Sequence, residues 1–160
     1  VFTEGINFMI KAKDFWNYFC NNLEYRFFSG VPHIAFKQLY KKMNKSFLHY
    51  VPAVNASAAI WLANGVSLTG MNSAVIMSIY DLENCINNTI KFNIDHGLPL
   101  VILTNKLSLK EDIKFVKEFI FNYKVKVVEL SENFTVDLDL LADTSNNLLS
   151  LLLVEEGMII

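Results

Sequence analysis

Three histidines, two cysteines and a few scattered acids are the groups in this chain that could move protons, hold a metal or attack a substrate. His33 follows a Gly-Val-Pro turn, where an imidazole could serve as an acid or base near neutral pH. The plainer reading, a partly exposed loop histidine, is preferred. His49 falls in a strand-like stretch, and His96 stands directly before Gly97, where its ring can bond the last carbonyls of a helix. Both read as structural. Asp81, Glu83 and Asp95 come nearest to a metal set, but their loop and helix positions do not converge. They read as solvated surface, and no metal site is expected. Cys20 and Cys85 are far apart and lack metal-ligand spacing, so they read as two buried thiols. One more place invites a charge. "NASAAIWLANGVSLTG", residues 55 to 70, opens at Asn55, a good helix cap. The first turn of a helix favours a carboxylate, yet this turn holds Ala56 and Ser57 and no acid.

The chain has 160 residues, 52% apolar and 19% charged, which suits one folded domain with a real core rather than disorder. The net charge of −2, with lysines spread between acids, supplies no basic footprint for nucleic acid and no polybasic patch for a membrane surface. "KKMNK" is too short to change that. The longest apolar run, "NNLLSLLLV", is far short of a bilayer span. The opening residues lack the basic region and apolar core of a signal peptide. A reduced, cytoplasmic setting is the expectation. The chain opens at Val1, so a trimmed chain or a fragment is also expected.

The elements that must position these groups alternate in type. "AKDFWNYFCNNL" places Phe15, Trp16, Phe19 and Leu23 at helical spacing. "YRFFSGVP" reads as a strand entering a turn. "PHIAFKQLYKKM" reads as a helix with Pro32 in its first turn and Ile34, Leu39 and Met43 on one face. "SFLHYV" reads as a strand and 55 to 70 as a helix. "SAVIMSI" is a continuous β-rich run of the buried, parallel type. "LENCINNTIKFNIDHG" reads as one helix stopped by Gly97, and "LPLVILTN" as a strand. "SLKEDIKFVKEFIFNY" is a strong amphipathic helix with a Ser108–Glu111 capping box. "KVKVVEL", "TVDLDLLADTSN" and "LLSLLLVEE" read as strand, weak helix and strand. The expected architecture is α/β: a three-layer, doubly wound sheet of about six parallel strands with helices on both faces. In such sheets ligands bind beyond the carboxyl ends of strands. The loops that matter are therefore "SGVPH", "PAVNAS", "SIYDLEN" and "TNKLSLKED".

At those loops the sequence resembles the pyrimidine-binding (PYR) domain of thiamine-diphosphate-dependent 2-oxoacid decarboxylases. The branch it looks most like is that of the phosphonopyruvate and sulfopyruvate decarboxylases. That branch reads GVPDS in the first loop, NEGNAVALAAGYxLATG in the helix and QNSGLGNxxN in the third loop. Gly30, Val31 and Pro32 match the first, and Asn55, Ala59, Leu62, Ala63, Gly65, Leu68, Thr69 and Gly70 the second. Asn84 and Asn87 match the third, and "LLSLLLVEEGMI" resembles the domain's last strand. The resemblance covers about residue 10 to the end and implies a single PYR-like domain over 1–160, without the diphosphate-binding (PP) half.

In that family the cofactor lies between a PYR domain and the PP domain of another protomer. A PYR glutamate bonds a pyrimidine nitrogen and so promotes deprotonation of the thiazolium carbon. The resemblance implies that Gly30, Pro32, His33, Asn55, Ala56, Ser78, Asp81 and Asn84 line the pyrimidine side. It also implies thiamine diphosphate with magnesium only in complex with a PP-domain partner, and no cofactor for the isolated chain. The expected partners are a second copy or a PP-domain subunit, with no nucleic acid and no membrane. Phe15, Trp16, Phe27 and Phe28 read as a possible pairing surface, because PYR domains pair; Met71 and Met77 read as core filler. Four features depart from the pattern. The family glutamate falls on Ala56. The acid after the Gly-Val-Pro turn is His33. Two glycines of the third loop are Asp81 and Glu83. The histidine-bearing segment after the fourth strand is the short "TNKLSLKED". The expectation is a degenerate cofactor site, with a non-catalytic dimerisation or scaffold module as the alternative role.

Overall fold

The computed structural model describes residues 8–43, 48–106 and 114–160. Six strands form one sheet: β1 (Tyr25–Gly30), β2 (His49–Pro52), β3 (Asn72–Ile76), β4 (Leu100–Asn105), β5 (Lys126–Glu129) and β6 (Leu149–Val154). Their order is β2-β1-β3-β4-β6-β5, and every pairing is parallel. The expected doubly wound α/β sheet is what forms.

The apolar runs of the central strands divide residue by residue between two cores, as a strand buried on both faces requires. Ala74, Ile76, Val101, Leu103, Leu152 and Val154 face one layer. That layer consists of α1 (Ala12–Asn17) with its π-helical continuation Tyr18–Asn22, α2 (Lys37–Lys41) and α7 (Phe134–Ala142). Val75, Met77, Leu100, Ile102, Leu149 and Leu151 face the other. Here α3 (Ala56–Ser67), α4 (Ile79–Glu83), a π-helical turn at Ile86–Ile90 and α6 (Lys114–Asn122) supply the helical side, with α5 (Lys91–Asp95) alongside. The capping pair expected at Ser108 and Glu111 lies outside the described residues.

Four expectations change. Phe15, Trp16 and Phe28 are interior rather than a pairing surface. Their rings meet edge to face, with Phe15–Trp16 centroids 5.6 Å and Trp16–Phe28 centroids 4.8 Å apart. The Trp16 indole also donates to the Leu39 carbonyl at 2.8 Å. Ile34 does not share a face with Leu39 and is 68% exposed. The cause is that residues 34–36 form a 3₁₀ turn capped by His33, and three residues per turn shifts the phase of every side chain before α2. Met77 is core, but Met71 is half exposed. The single helix expected over 82–97 is broken into α4, the π-helical turn and α5. Its stop is as expected: Gly97 takes φ +62°, and His96 Nδ1 lies 2.9 Å from the Phe92 carbonyl.

The first and last described stretches meet. Ile10 pairs with Ile159, its N–H donating to the Met158 carbonyl at 2.8 Å and its carbonyl accepting from Ile160 at 2.9 Å. Among the described residues, no helix is long and apolar enough to cross a membrane.

Candidate functional site

β1 lies between β2 and β3, and the chain leaves β1 and β3 toward opposite layers: α2 on one face, α4 on the other. That divergence defines the switch point of the sheet, where a crevice opens beyond the carboxyl ends of β1 and β3. Gly30 and His33, the start of α3 and the segment from Ser78 all sit at this edge.

Gly30 is held tightly there. A Cβ on it would stand 1.9 Å from the Ile76 carbonyl oxygen, so only glycine lets β1 run this close to β3. Val31 N–H donates to that same carbonyl at 3.1 Å, and Ala53 N–H donates to the Gly30 carbonyl at 2.8 Å. Ser29, fully buried, donates its hydroxyl to the Val51 carbonyl at 2.8 Å. The three loop mouths are thereby tied to one another through backbone. Pro32 is exposed beside the turn, and His33 is half-buried. His33 Nδ1 accepts from Ala35 N–H at 3.3 Å, which assigns that nitrogen to capping.

Asn55 caps α3 as its residue type predicts, Oδ1 accepting from Ala58 N–H at 2.8 Å. Ala56 follows, 4% exposed, its methyl in the apolar cluster of Val75, Met77, Ile79 and Leu82. Ser57 accepts from the buried Thr89 hydroxyl at 2.9 Å, which fastens this end of α3 to the π-helical turn.

The segment 78–84, read as a loop, is a helical turn. Ser78 and Asp81 form a capping box: Asp81 N–H donates to Ser78 Oγ at 3.2 Å, and Asp81 Oδ2 accepts from Ser78 Oγ at 2.7 Å and Ser78 N–H at 3.3 Å. The Asp81 carboxylate is thus engaged by its own helix. Ser78 is buried, whereas Glu83 and Asn84 are exposed. Asn105 was not anticipated. Its Oδ1 accepts from Ile79 N–H at 3.0 Å and ties the end of β4 to the start of α4. The contact spans a long stretch of sequence, and no local pattern announces it.

Two cavities are present among the described residues, and the first reaches this edge at Pro32 and Pro52. One of about 510 Å³ is lined by Pro32, Tyr40, Met43 and the β2 strand. The Tyr40 and Tyr50 hydroxyls are buried with no hydrogen-bond partner. Burial first, then the neighbouring Tyr50, raises the Tyr40 phenol, and burial raises that of Tyr50, so both stay protonated. The other cavity, about 270 Å³, sits at the opposite end of the sheet between Leu23, Tyr25, Asn72 and Leu98. Among the described residues, no three His, Cys, Asp or Glu side chains gather where they could hold a metal ion.

No protein-family model matches the chain, and no curated protein matches it. Among solved structures, the fold is similar to part of the 2-oxoglutarate:ferredoxin oxidoreductase from Magnetococcus marinus, solved with 2-oxoglutarate, coenzyme A and succinyl-CoA bound. The TM-score is 0.66 at 15% identity, over 93% of this chain and 29% of that one. The chain therefore spans less than a third of that neighbour and shares its fold over that region.

Proposed function

We infer that this chain is the pyrimidine-binding half of a thiamine-diphosphate-dependent 2-oxoacid enzyme of the phosphonopyruvate and sulfopyruvate decarboxylase type, with its activating acid replaced. The observation that carries the reading is convergence. The three stretches that resemble the family, Gly30–Pro32, the start of α3 and the segment from Ser78, lie far apart in sequence and meet at one switch point. The similar solved structure is also of a 2-oxoacid enzyme, by its own description.

The residues present do not fit the activating role. At the position of the family glutamate stands a buried methyl in an apolar cluster. The nearby Asp81 carboxylate is engaged by Ser78. No activating step is therefore assigned to this chain, and its contribution is a wall of the site and a surface for its partner. The same two observations favour a second reading, a non-catalytic homologue that keeps the fold as a dimerisation or scaffold module.

Titration calorimetry with thiamine diphosphate and Mg²⁺ separates them. The chain is measured alone and mixed with a separately produced PP domain of a decarboxylase of that type. The first reading expects no heat alone and saturable binding in the mixture. Complex formation without cofactor binding supports the scaffold reading. Micromolar binding by the chain alone, or failure to form any complex, overturns the first reading.

A further inference from the structure

Tyr40 of α2 and Tyr50 of the edge strand β2 lean together, their ring centroids 5.3 Å apart and their planes at 48°. Burial first, and then the other hydroxyl, shifts the hold of each phenol on its proton, so the two hydroxyls are neighbours. Neither has a hydrogen-bond partner among the described residues, and both are shut off from bulk water. A buried hydroxyl without a partner is destabilising, and a phenylalanine would fill the same space without that loss. Phenylalanine is the commoner ring in this chain, 13 against 6 tyrosines, and it supplies the interior rings Phe28 and Phe36 of the same layer. Packing alone therefore favours phenylalanine at both positions, and the two hydroxyls need another reason.

The two rings wall the cavity of about 510 Å³, a volume in the range of small-molecule sites. Met43, Leu48, Val51 and the two prolines Pro32 and Pro52 make the rest of its wall apolar, apart from His49. Among the described residues, no Asp, Glu, Lys or Arg lines it. An ionised ligand would give up its hydration there without gaining a fixed opposite charge. The cavity is also distinct from the pyrimidine wall. Tyr40 and Tyr50 pack against the layer of α1, α2 and α7, whereas Ala56, Ile79 and Leu82 belong to the opposite layer. Of the residues assigned to the pyrimidine side, only Pro32 lines it.

We propose that this cavity binds a small, neutral and largely apolar molecule whose carbonyl oxygen accepts from both tyrosine hydroxyls. A carbonyl oxygen has two lone pairs, so one oxygen inserted where the rings lean together satisfies both donors. Burial keeps both phenols protonated, and so keeps both as donors. The apolar wall takes the rest of the molecule, and the pair of hydroxyls fixes its orientation. Binding here does not depend on the cofactor reading, and either can fail without the other.

The test is titration of the whole chain with α-tetralone, a neutral bicyclic ketone, followed by carbon–proton NMR of the methionine methyl groups. Met43 lines the cavity and its signal is assigned by Met43→Leu; Met77 and Met158 are buried elsewhere and serve as controls. The Met43 signal is expected to shift saturably and the controls to stay in place. Tetralin, the same skeleton without the carbonyl, is expected to bind at least about five-fold more weakly, the worth of one neutral hydrogen bond. Tyr40→Phe and Tyr50→Phe are each expected to weaken α-tetralone by a similar factor while melting no lower than the parent, and the double variant to lose the preference for α-tetralone over tetralin. A Met43 signal unmoved up to the solubility limit of α-tetralone overturns the proposal. So does tetralin binding as tightly as the ketone, a double variant that keeps the preference, or the anion naphthoate binding more tightly than α-tetralone. A phenylalanine variant that melts well below the parent also overturns it, because the hydroxyl would then have a partner in the empty chain.

Discussion

Gly30 constrains the candidate site more than any charged residue near it. The 1.9 Å approach that a Cβ would make is to a carbonyl oxygen of β3, which is fixed by the sheet and cannot swing aside. Gly30→Ala must therefore spread β1 from β3 and break the Val31–Ile76 hydrogen bond between them. Overpacking with loss of ladder contacts is expected to cost at least about 3 kcal/mol, read as a fall in the urea midpoint. A loss under about 1 kcal/mol would mean that the loops at this edge part freely. The glycine itself was legible, as the first residue of a recognisable turn; its reason, contact with a strand far along the chain, was not. Asn55 was fully legible because capping is local. Asp81 shows the opposite case. Ser78 and Asp81 have capping-box spacing, but aligning the segment with a glycine loop made Asp81 look like added charge in a cofactor site, when its carboxylate closes on its own helix.

At the scale of elements, periodicity placed every strand but could not foresee where a helix would break. The break after α4 is accompanied by contacts to α3. Asn64 and Asn93 exchange amide hydrogen bonds of 2.9 and 2.8 Å in the buried space between α3 and α5, and Asn93 also donates to the Leu98 carbonyl at 3.1 Å. A one-residue shift of α5 would separate these amides, so the π-helical turn at Ile86–Ile90 absorbs the mismatch between the two helices. The pair should be strongly coupled. Asn93→Leu alone leaves the Asn64 amide buried without a partner and is expected to cost about 2–3 kcal/mol. Adding Asn64→Leu removes the orphan, so the double variant should lose less than the sum of the single losses. Urea unfolding of all four proteins gives the cycle. Strictly additive losses would show that the two amides are not coupled, and that something else sets the register of α3 on α5.

At the scale of the whole molecule, the alternation of elements announced a parallel sheet with two helical layers but not the order of its strands, although composition agrees with the placement of the last two. "KVKVVEL" carries charge and ends at an edge, whereas "LLSLLLV" is uninterrupted and lies inside, between β4 and β5. Each layer holds one cysteine: Cys20 in the buried cluster that also holds Phe15, Phe19 and Phe28, and Cys85 in the cluster of α3, α4 and the π-helical turn, its thiol donating to the Leu82 carbonyl at 3.2 Å.

These two thiols decide whether the layers open together. Burial pushes Cys20 up to about 11 against the opposing charge of Arg26, and Cys85 up to about 12 against its own backbone hydrogen bond. Both are protonated and inaccessible in the folded chain at pH 8, so a disulfide reagent should label neither until the protein opens. Adjacent residues along β3 and just after it serve opposite layers, Ala74 and Ile76 one, Val75 and Met77 the other, so neither core can be exposed while the strand stays in place. The expectation is that Cys20 and Cys85 become reactive at the same urea concentration, followed by mass spectrometry of each cysteine peptide. Labelling of Cys85 well before Cys20 would show that the α3 layer opens on its own. The same shifts fix a pH dependence. An unfolded thiol loses its proton near its ordinary value of 9.0, whereas the folded ones hold theirs to about 11 and 12. The folded state then binds more protons, so stability is flat below pH 9 as far as these groups are concerned and falls as pH rises from 9 toward 11. Tyr25, pushed up to about 12 by burial, steepens the same fall from pH 10 upward. Replacing both cysteines with alanine should flatten the thiol part of that alkaline loss while leaving the part due to Tyr25.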